Sequence, residues 1–187
     1  DWHNGAVPSF GALEAQLLIV GLAPGLRGAN RTGRPFTGDF AGDLLFETLE
    51  AFGFAAGTYG RVASDGLRLV DSRLTNAVRC VPPANKPKPE EFARCQQFLA
   101  REIGAMPRLA AILALGRNAH ERTLAALGLA PRSRWPFRHG AFHELPVGLM
   151  LADSYHCSRQ NTNTGRLNPA MFRSVVGELR ARLDRRP

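Results

Sequence analysis

The sequence has few cysteines, few acidic residues and no long apolar run. Its 187 residues contain three cysteines, too few for the disulfide framework that stabilises small secreted domains. No apolar segment is long enough to cross a bilayer. We therefore expect a protein of the reducing cytoplasm that has no membrane partner.

The shortage of acidic residues gives the chain a strongly basic balance. Lys and Arg number 24 against 16 Asp and Glu, a formal net charge of +8 at pH 7. Such an excess favours a polyanionic partner, nucleic acid before a membrane surface. The alternative is that the arginines are only solvated surface charges. We favour the polyanion because arginines cluster near the glycine-rich and histidine-bearing loops described below.

The hydrophobic content of 44% is sufficient for one well-cored domain. Because the sequence starts at Asp1 and not at a methionine, we expect residues 1–187 to be a single domain that lacks an upstream segment.

Apolar runs alternate with amphipathic segments along the chain. The predicted strands are residues 17–22, 73–80, 110–115 and 148–155. The predicted helices are residues 43–52, 89–103, 118–127 and 169–183. This order predicts an α/β fold, a three-layer α/β/α sandwich around a central, mostly parallel four-stranded sheet.

The most informative segment directly follows the first predicted strand. Gly-Leu-Ala-Pro-Gly at 21–25 leaves the carboxyl end of that strand, where open α/β sheets place their ligands. Asn-Arg-Thr-Gly-Arg-Pro-Phe-Thr-Gly-Asp follows at 30–39. Exposed backbone N–H groups beside these side chains suit a flat, polar ligand attached to phosphate.

Two further loops leave the same edge of the predicted sheet. Asn76 lies in an otherwise apolar strand, where its amide either reads the imide edge of a base or bonds neighbouring backbone. His156 follows the fourth strand and precedes a run of small hydrogen-bonding residues with two arginines. This composition suits phosphate contacts, and His156 is placed to stabilise an anion on a departing base. A lone histidine there is more often structural, but three such loops together favour a site.

These motifs resemble those of the uracil-DNA glycosylase superfamily, and within it family 5, the B-type enzymes. The resemblance rests on the glycine-rich loop, Gly-Arg-Pro-Phe-Thr-Gly at 33–38, Asn-Ala-Val-Arg-Cys-Val-Pro-Pro-Ala-Asn-Lys-Pro at 76–87, Ser-Tyr-His at 154–156 and Asn-Thr-Asn-Thr-Gly-Arg-Leu at 161–167. It covers nearly the whole chain in the same order. It implies a monomeric, nucleoid-associated repair enzyme whose partner is DNA containing uracil or another deaminated base. Such enzymes flip the base out of the stack and hydrolyse its N-glycosidic bond.

The resemblance also implies roles for individual residues. The pocket would be lined by the backbone of Ala23, Pro24 and Gly25. Phe36 would stack on the flipped base, Asn76 would read the uracil edge, and His156 would donate to the charge that develops on the base oxygen. The opened strand would be held by Arg159, Gln160, Asn161 and Arg166. Taken singly, Phe36 also suits a core ring, and Arg166 a surface charge.

No polar side chain stands in the first motif, where many members of the superfamily place the group that handles the hydrolytic water. The corresponding positions are Leu22 and Ala23, as in family 5, and this predicts activity on hypoxanthine or xanthine as well as uracil. The candidates nearby are Asn30, Asp39 and Asp43, of which Asn30 and Asp43 are the predicted catalytic residues. Asp43 is about equally suited to capping a helix.

The cysteines depart from the family pattern in two ways. Cys157 follows His156 where relatives usually have proline, so we expect the histidine to be held less rigidly. Cys80 and Cys95 match two of the four cysteines that hold a [4Fe–4S] cluster in family 4 and family 5. The other two form a Cys-x-x-Cys pair that this sequence lacks. The cluster therefore either needs an upstream segment or is incomplete, and two free buried cysteines are the alternative.

Two other functions are consistent with parts of the sequence. A non-catalytic module that binds damaged DNA would account for the missing acidic residue and for Cys157. A nucleotide-dependent oxidoreductase is suggested by Gly-x-x-x-Gly-x-x-Gly at 21–28, but Pro24 and the long loop fit a dinucleotide site poorly. We rank the glycosylase first and expect no nucleotide cofactor.

Overall fold

The centre of the main sheet contains two fully buried apolar strands of five residues, 17–21 and 111–115. The computed structural model describes residues 2–186. Its strands are β1 (Leu17–Gly21), β2 (Ala55–Ala56), β3 (Arg68–Leu69), β4 (Ser72–Asn76), β5 (Ala111–Leu115), β6 (Phe142–Glu144) and β7 (Met150–Ser154). The α-helices are α1 (Ala29–Thr32), α2 (Phe40–Ala51), α3 (Pro89–Gly104), α4 (Arg117–Ala126), α5 (Arg159–Asn163) and α6 (Pro169–Asp184). Single 3-10 turns lie at Pro83–Asn85 and Arg132–Arg134.

The main sheet has the strand order β4-β1-β5-β7-β6. The first four strands are parallel, and β6 pairs with β7 in the antiparallel direction. Strands β2 and β3 form a separate antiparallel pair. The chain leaves β1 toward β4 on one side and leaves β5 toward β7 on the other, so the strand order reverses between β1 and β5. Ligands of open α/β sheets bind at the carboxyl ends of the strands at such a switch point.

The side chains of the buried strands point alternately to the two faces of the sheet and form two core layers. Leu17 and Ile19 of β1 pack with α2 and α6, whereas Leu18 and Val20 pack with α3 and α4. Successive side chains of a strand point to opposite faces, so a strand covered on both faces is apolar throughout. The arrangement confirms the predicted α/β/α sandwich.

Three differences from the prediction affect the main sheet and helix α2. The sheet has five strands and not four, because the short edge strand β6 was missed. Strand β4 ends at Asn76 and does not continue to residue 80, although the N–H groups of Ala77 and Val78 still donate to the carbonyls of residues 21 and 22. Helix α2 begins at Phe40 because Asp39, and not Asp43, is its N-cap, with a side chain that accepts from the Ala41 N–H. None of the helices within residues 2–186 is long and apolar enough to cross a membrane.

Candidate active site

A groove of about 820 Å³ lies at the carboxyl edge of the main sheet. It is built by the loops that follow β1, β4, β5 and β7, and so by all four parallel strands. The residues that line it from these loops and from the start of α2 include Leu22, Pro24, Arg27, Asp39, Phe40, Pro82, Asn85, Gly116, Arg117, His156, Arg159 and Gln160. The three loops singled out in the sequence therefore meet at one place.

A smaller chamber of about 30 Å³ adjoins the floor of this groove. Its lining is Ala23, Pro24, Gly25, Ala29, Phe36, Asp39, Ala41, Asn76 and His156. Six of these nine residues also line the groove. All six residues predicted for the base pocket and for charge stabilisation lie at this chamber.

Phe36 is held in the chamber wall by a strained backbone. Its φ of 57° lies in the left-handed region that bulky residues rarely adopt, at a cost on the order of 1–3 kcal/mol. The Tyr59 hydroxyl donates to the Phe36 carbonyl at 3.2 Å. A Cβ at Gly42 would lie 1.9 Å from that carbonyl oxygen, so glycine is needed there. The surrounding residues thus fix the ring before any ligand binds.

Asn76 keeps its amide available for a ligand. The residue is 6% exposed, yet its side chain hydrogen-bonds to no other residue within the described range 2–186. The predicted alternative, an amide that bonds neighbouring backbone, is therefore wrong. A Cβ at Gly21 would lie 2.4 Å from both Asn76 Oδ1 and Phe36 Cζ, so the first glycine of the loop makes room for these side chains. Because Asn76 lines the chamber, its amide is available to a ligand or water there.

His156 is a neutral imidazole at physiological pH. Burial lowers its pKa from the usual 6.5 to about 4. Its ring lies 5.9 Å from the Phe36 ring, at an interplanar angle of 28°. No residue within 2–186 hydrogen-bonds to its ring nitrogens, so the ring has an N–H to donate to a bound molecule. Asn161 fixes the backbone here by donating from Nδ2 to the His156 carbonyl at 2.9 Å.

Asp39 is the carboxylate that the structure places in both the groove and the chamber. Glycines surround it, since a Cβ at Gly28 would lie 2.4 Å, and one at Gly25 3.1 Å, from its Oδ2. Burial raises its pKa, and the N–H groups of Gly42 and Ala41 oppose that rise by donating to it. Asp39 therefore combines a helix-capping role with a partly desolvated carboxylate that faces the cavity.

The two predicted catalytic residues other than His156 lie away from both cavities. The Asn30 amide donates to Asn4 Oδ1 at 2.9 Å and holds the N-terminal segment. Asp43 forms an ion pair with the exposed Arg61 at 2.5 Å. Neither residue lines the groove or the chamber, although both lie close to the glycine-rich loop in the sequence.

The predicted DNA-contacting residues divide into two groups. Arg159, Gln160 and Asn161 line the groove. Arg166 does not, and its guanidinium lies 4.5 Å from the centroid of the Tyr155 ring. The structure adds two groove cations that sequence reasoning missed, Arg27 and Arg117. Their only sequence signal was that each follows a strand end by a few residues.

The cysteines do not form a cluster site by themselves. Cys80 is exposed and Cys95 is half-buried, so the expectation of two free buried cysteines fails for Cys80. Cys157 is fully buried in the core layer with α2 and α6, and burial raises the pKa of its thiol. A [4Fe–4S] cluster needs four thiolates, and residues 2–186 offer at most these two outside the core. The residues present therefore do not fit a complete cluster.

Sequence reasoning also missed a buried histidine–carboxylate network behind the groove. His120 Nδ1 lies 2.7 Å from Asp153 Oδ1, and its Nε2 donates to the Trp135 carbonyl at 2.8 Å. The other Asp153 oxygen accepts from the Arg138 N–H and from His143 Nε2, both at 3.3 Å. These three side chains place possible metal-ligating atoms within 4.8 Å of one another. Their hydrogen bonds already satisfy one another, so the network is complete without an ion.

Comparison with known proteins finds uracil-DNA glycosylases at the level of the family and of individual relatives. The family model described as "Uracil DNA glycosylase superfamily" matches residues 8–180. A type-5 uracil-DNA glycosylase of Thermus thermophilus is 50% identical over 172 residues, which are 92% of this chain and 78% of the relative. One of Mycobacterium bovis is 42% identical over 173 residues, 92% of this chain and 65% of the relative's length. A type-4 uracil-DNA glycosylase of Archaeoglobus fulgidus is 40% identical over 114 residues, 60% of this chain and 49% of that protein.

Proposed function

The chain belongs to the uracil DNA glycosylase superfamily, and we propose that it is a type-5 uracil-DNA glycosylase that excises uracil from DNA in base excision repair. The observation that carries the proposal is the meeting of an unpartnered amide, an aromatic ring and a neutral imidazole around one chamber, the side chains of Asn76, Phe36 and His156. The chamber is too small for a whole pyrimidine. The flipped base would occupy it together with the adjoining floor of the groove.

Base recognition follows from the two groups on the chamber wall. The Asn76 amide offers both a donor and an acceptor, which match the O4 and N3–H of uracil. The Phe36 ring supplies a stacking face worth roughly 1–3 kcal/mol. Because Leu22 and Ala23 put no polar side chain at the first motif, discrimination among bases is weak. Hypoxanthine and xanthine are therefore further proposed substrates.

The leaving group is an anion, and His156 is the group that stabilises it. When the bond between C1′ and N1 breaks, its electron pair stays on uracil and the negative charge spreads to O2. A neutral imidazole still carries one N–H, and this group donates a hydrogen bond to that oxygen. The low pKa of His156 keeps it in this form at physiological pH. Donors aimed at developing charge are commonly the largest single contribution to catalysis.

Asp39 is the residue we assign to the hydrolytic water. As the sugar becomes cationic, a water oxygen bonds to C1′ and one of its protons passes to the Asp39 carboxylate. Asp39 then releases that proton to solvent and the uracil anion takes one up, so the products are uracil and an abasic site and the carboxylate is restored. Asn30 and Asp43 line neither cavity, and their side chains pair with Asn4 and Arg61 instead. Because burial raises the pKa of Asp39, its carboxylate is a stronger base than an exposed aspartate with the usual pKa.

We derive no step of the proposed reaction through an iron–sulfur cluster. Cys80 and Cys95 lie outside the groove and chamber, and the described cysteines number too few to hold a cluster.

The assay that tests the proposal uses labelled oligonucleotides that carry uracil, hypoxanthine or xanthine, followed by alkali to break abasic sites. We expect abasic product from uracil, and its loss in both Asn76→Ala and His156→Ala. DNA binding without product from any base would overturn the enzymatic proposal and favour a damage-binding module. Cys157, which favoured that module in the sequence, has its thiol in the core and leaves the chamber unobstructed.

A further inference from the structure

One large aromatic side chain faces the groove without belonging to the core. Phe40 is the first residue of α2 and is 37% exposed, whereas Leu44, Leu45, Phe46 and Leu49 of the same helix are buried. Phe40 directly follows Asp39 and lines the groove but not the chamber. More than a third of its surface is therefore left uncovered beside the groove.

A cation lies over this ring. The Arg159 guanidinium carbon is 5.3 Å from the centroid of Phe40, within the range of cation–π attraction. Arg159 also lines the groove, as do Arg27 and Arg117, against the single carboxylate of Asp39. The groove therefore joins positive charge for a phosphate backbone with a free aromatic surface beside it. This combination is typical of surfaces that bind single-stranded nucleic acid.

We propose that Phe40 and Arg159 form a second nucleobase site, which stacks an unpaired base next to the flipped nucleotide. This inference rests on the proposed function, since flipping leaves the neighbouring base partly unstacked. The ring would replace the lost stacking partner, and Arg159 would hold the ring in place from its other side. Any base has a π-face, so the site is indifferent to the identity of the neighbour. It acts most on single-stranded DNA, where neighbouring bases lack partners.

The molecule contains a matched arrangement elsewhere. Phe98 on α3 is 43% exposed, and the Arg79 guanidinium carbon lies 5.8 Å from its ring centroid. Phe98 does not line the groove. A phenylalanine with an arginine over it is therefore present both inside and outside the groove, and Phe98→Ala is the natural control for Phe40→Ala.

The test compares excision kinetics on single-stranded and duplex uracil oligonucleotides. For Phe40→Ala we expect KM on single-stranded DNA to rise about 10-fold or more, with a much smaller rise on the duplex. The single-turnover rate at saturating DNA should change little. Phe40→Tyr should restore KM, and Phe98→Ala should leave it unchanged. Equal KM values for wild type and Phe40→Ala, or equal changes in Phe40→Ala and Phe98→Ala, would overturn the inference.

A second measurement reports the stacking itself. A single-stranded oligonucleotide carries an abasic site with 2-aminopurine on its 5′ or 3′ side, and stacking quenches the 2-aminopurine fluorescence. We expect wild type and Phe98→Ala to quench one of these two probes, and Phe40→Ala to lose that quenching. No quenching by wild type at either position would contradict the inference. Because this arm needs no excision, it separates failure of the second base site from failure of the glycosylase proposal.

Discussion

Two histidine–carboxylate arrangements lie at the same edge of the sheet and differ in how completely they are partnered. In the network behind the groove, both ring nitrogens of His120 meet oxygen atoms within 2.8 Å. At the chamber, the His156 ring has no hydrogen-bond partner among residues 2–186, and Asp39 faces the cavity with one oxygen beside two glycines. Satisfied polar groups hold a fold together, whereas unsatisfied ones are available to a ligand.

The same two residue types therefore have different roles in the two places: the His120 network stabilises the fold, whereas His156 and Asp39 are available for chemistry. Burial lowers the pKa of His156 and raises the pKa of Asp39, although backbone N–H groups that donate to Asp39 oppose the second shift. Pairs of titratable groups with shifted pKa values are common at catalytic sites. The fully paired network uses Asp153 of β7, and His156 follows the end of that strand by two residues.

The largest expected effect on stability is at His120. Replacing it with alanine leaves Asp153 buried at 0% exposure without its main partner. Breaking a buried pair in this way costs about 3–5 kcal/mol of the free energy of unfolding. Urea unfolding followed by circular dichroism measures the change. A loss below about 1 kcal/mol would show that the network is not a structural pair.

The next largest effect is on the rate at Asp39. Asp39→Asn removes the proposed base but keeps a good N-cap for α2. We expect the single-turnover excision rate to fall about 100-fold, with little change in thermal stability. Asp43→Asn is the matched control, since Asp43 pairs with the exposed Arg61. Equal rates in Asp39→Asn and wild type would remove Asp39 from the mechanism.

The dependence of the excision rate on pH is a second test of Asp39 as the base. The Asp39 carboxylate acts as a base only when ionised, and burial raises its pKa above the usual 3.8. The rate should therefore fall as the pH falls through that raised pKa. His156 stays neutral down to about pH 4, so no limb appears near 6.5. Single-turnover rates of wild type and Asp39→Asn test this, and an acid limb that persists unchanged in the variant would contradict it.

A smaller effect concerns stability in mild acid. The folded pKa of His156, about 4, lies below the usual 6.5. As the pH falls from 6.5 toward 4, protons bind preferentially to the unfolded chain, and the free energy of unfolding declines. The decline should be shallower in His156→Gln than in wild type. Parallel urea titrations across this window measure both slopes, and identical slopes would contradict a lowered pKa of His156 in the folded protein.

The smallest effect is expected at Cys157. Cys157→Ala removes a buried thiol from the core and should cost about 1 kcal/mol of unfolding free energy. Because the thiol does not line the chamber, the excision rate should stay at the wild-type value. A clear loss of rate in Cys157→Ala would show that this residue positions His156.

The sequence predicted those parts of the molecule whose signals are local. Apolar runs identified β1, β5 and β7, partial alternation identified β4, and Pro89 and Pro169 marked the starts of α3 and α6 correctly. Strand β6 was missed because its three residues are too few to show an alternating pattern. The sequence favoured Asn30 and Asp43 over Asp39 as catalytic residues, whereas of the three only Asp39 lines the cavities, because the folding of the loop decides which side chain reaches them.

The buried network was missed for a different reason. His120 and Asp153 are 33 residues apart, and nothing near either one predicts their contact. The available signal was a lone carboxylate in the apolar strand that became β7. A charge in such a place predicts a buried partner without identifying it.

The most direct test of the central claim compares two histidine variants in one assay. The measurement is the single-turnover rate of uracil excision per folded molecule for His156→Ala and His120→Ala, with His120→Gln if the alanine variant does not fold. We expect a loss on the order of 100- to 1,000-fold at His156 and less than about 3-fold at His120. Similar losses at the two positions, or a larger one at His120, would contradict the division between a catalytic chamber and a structural network.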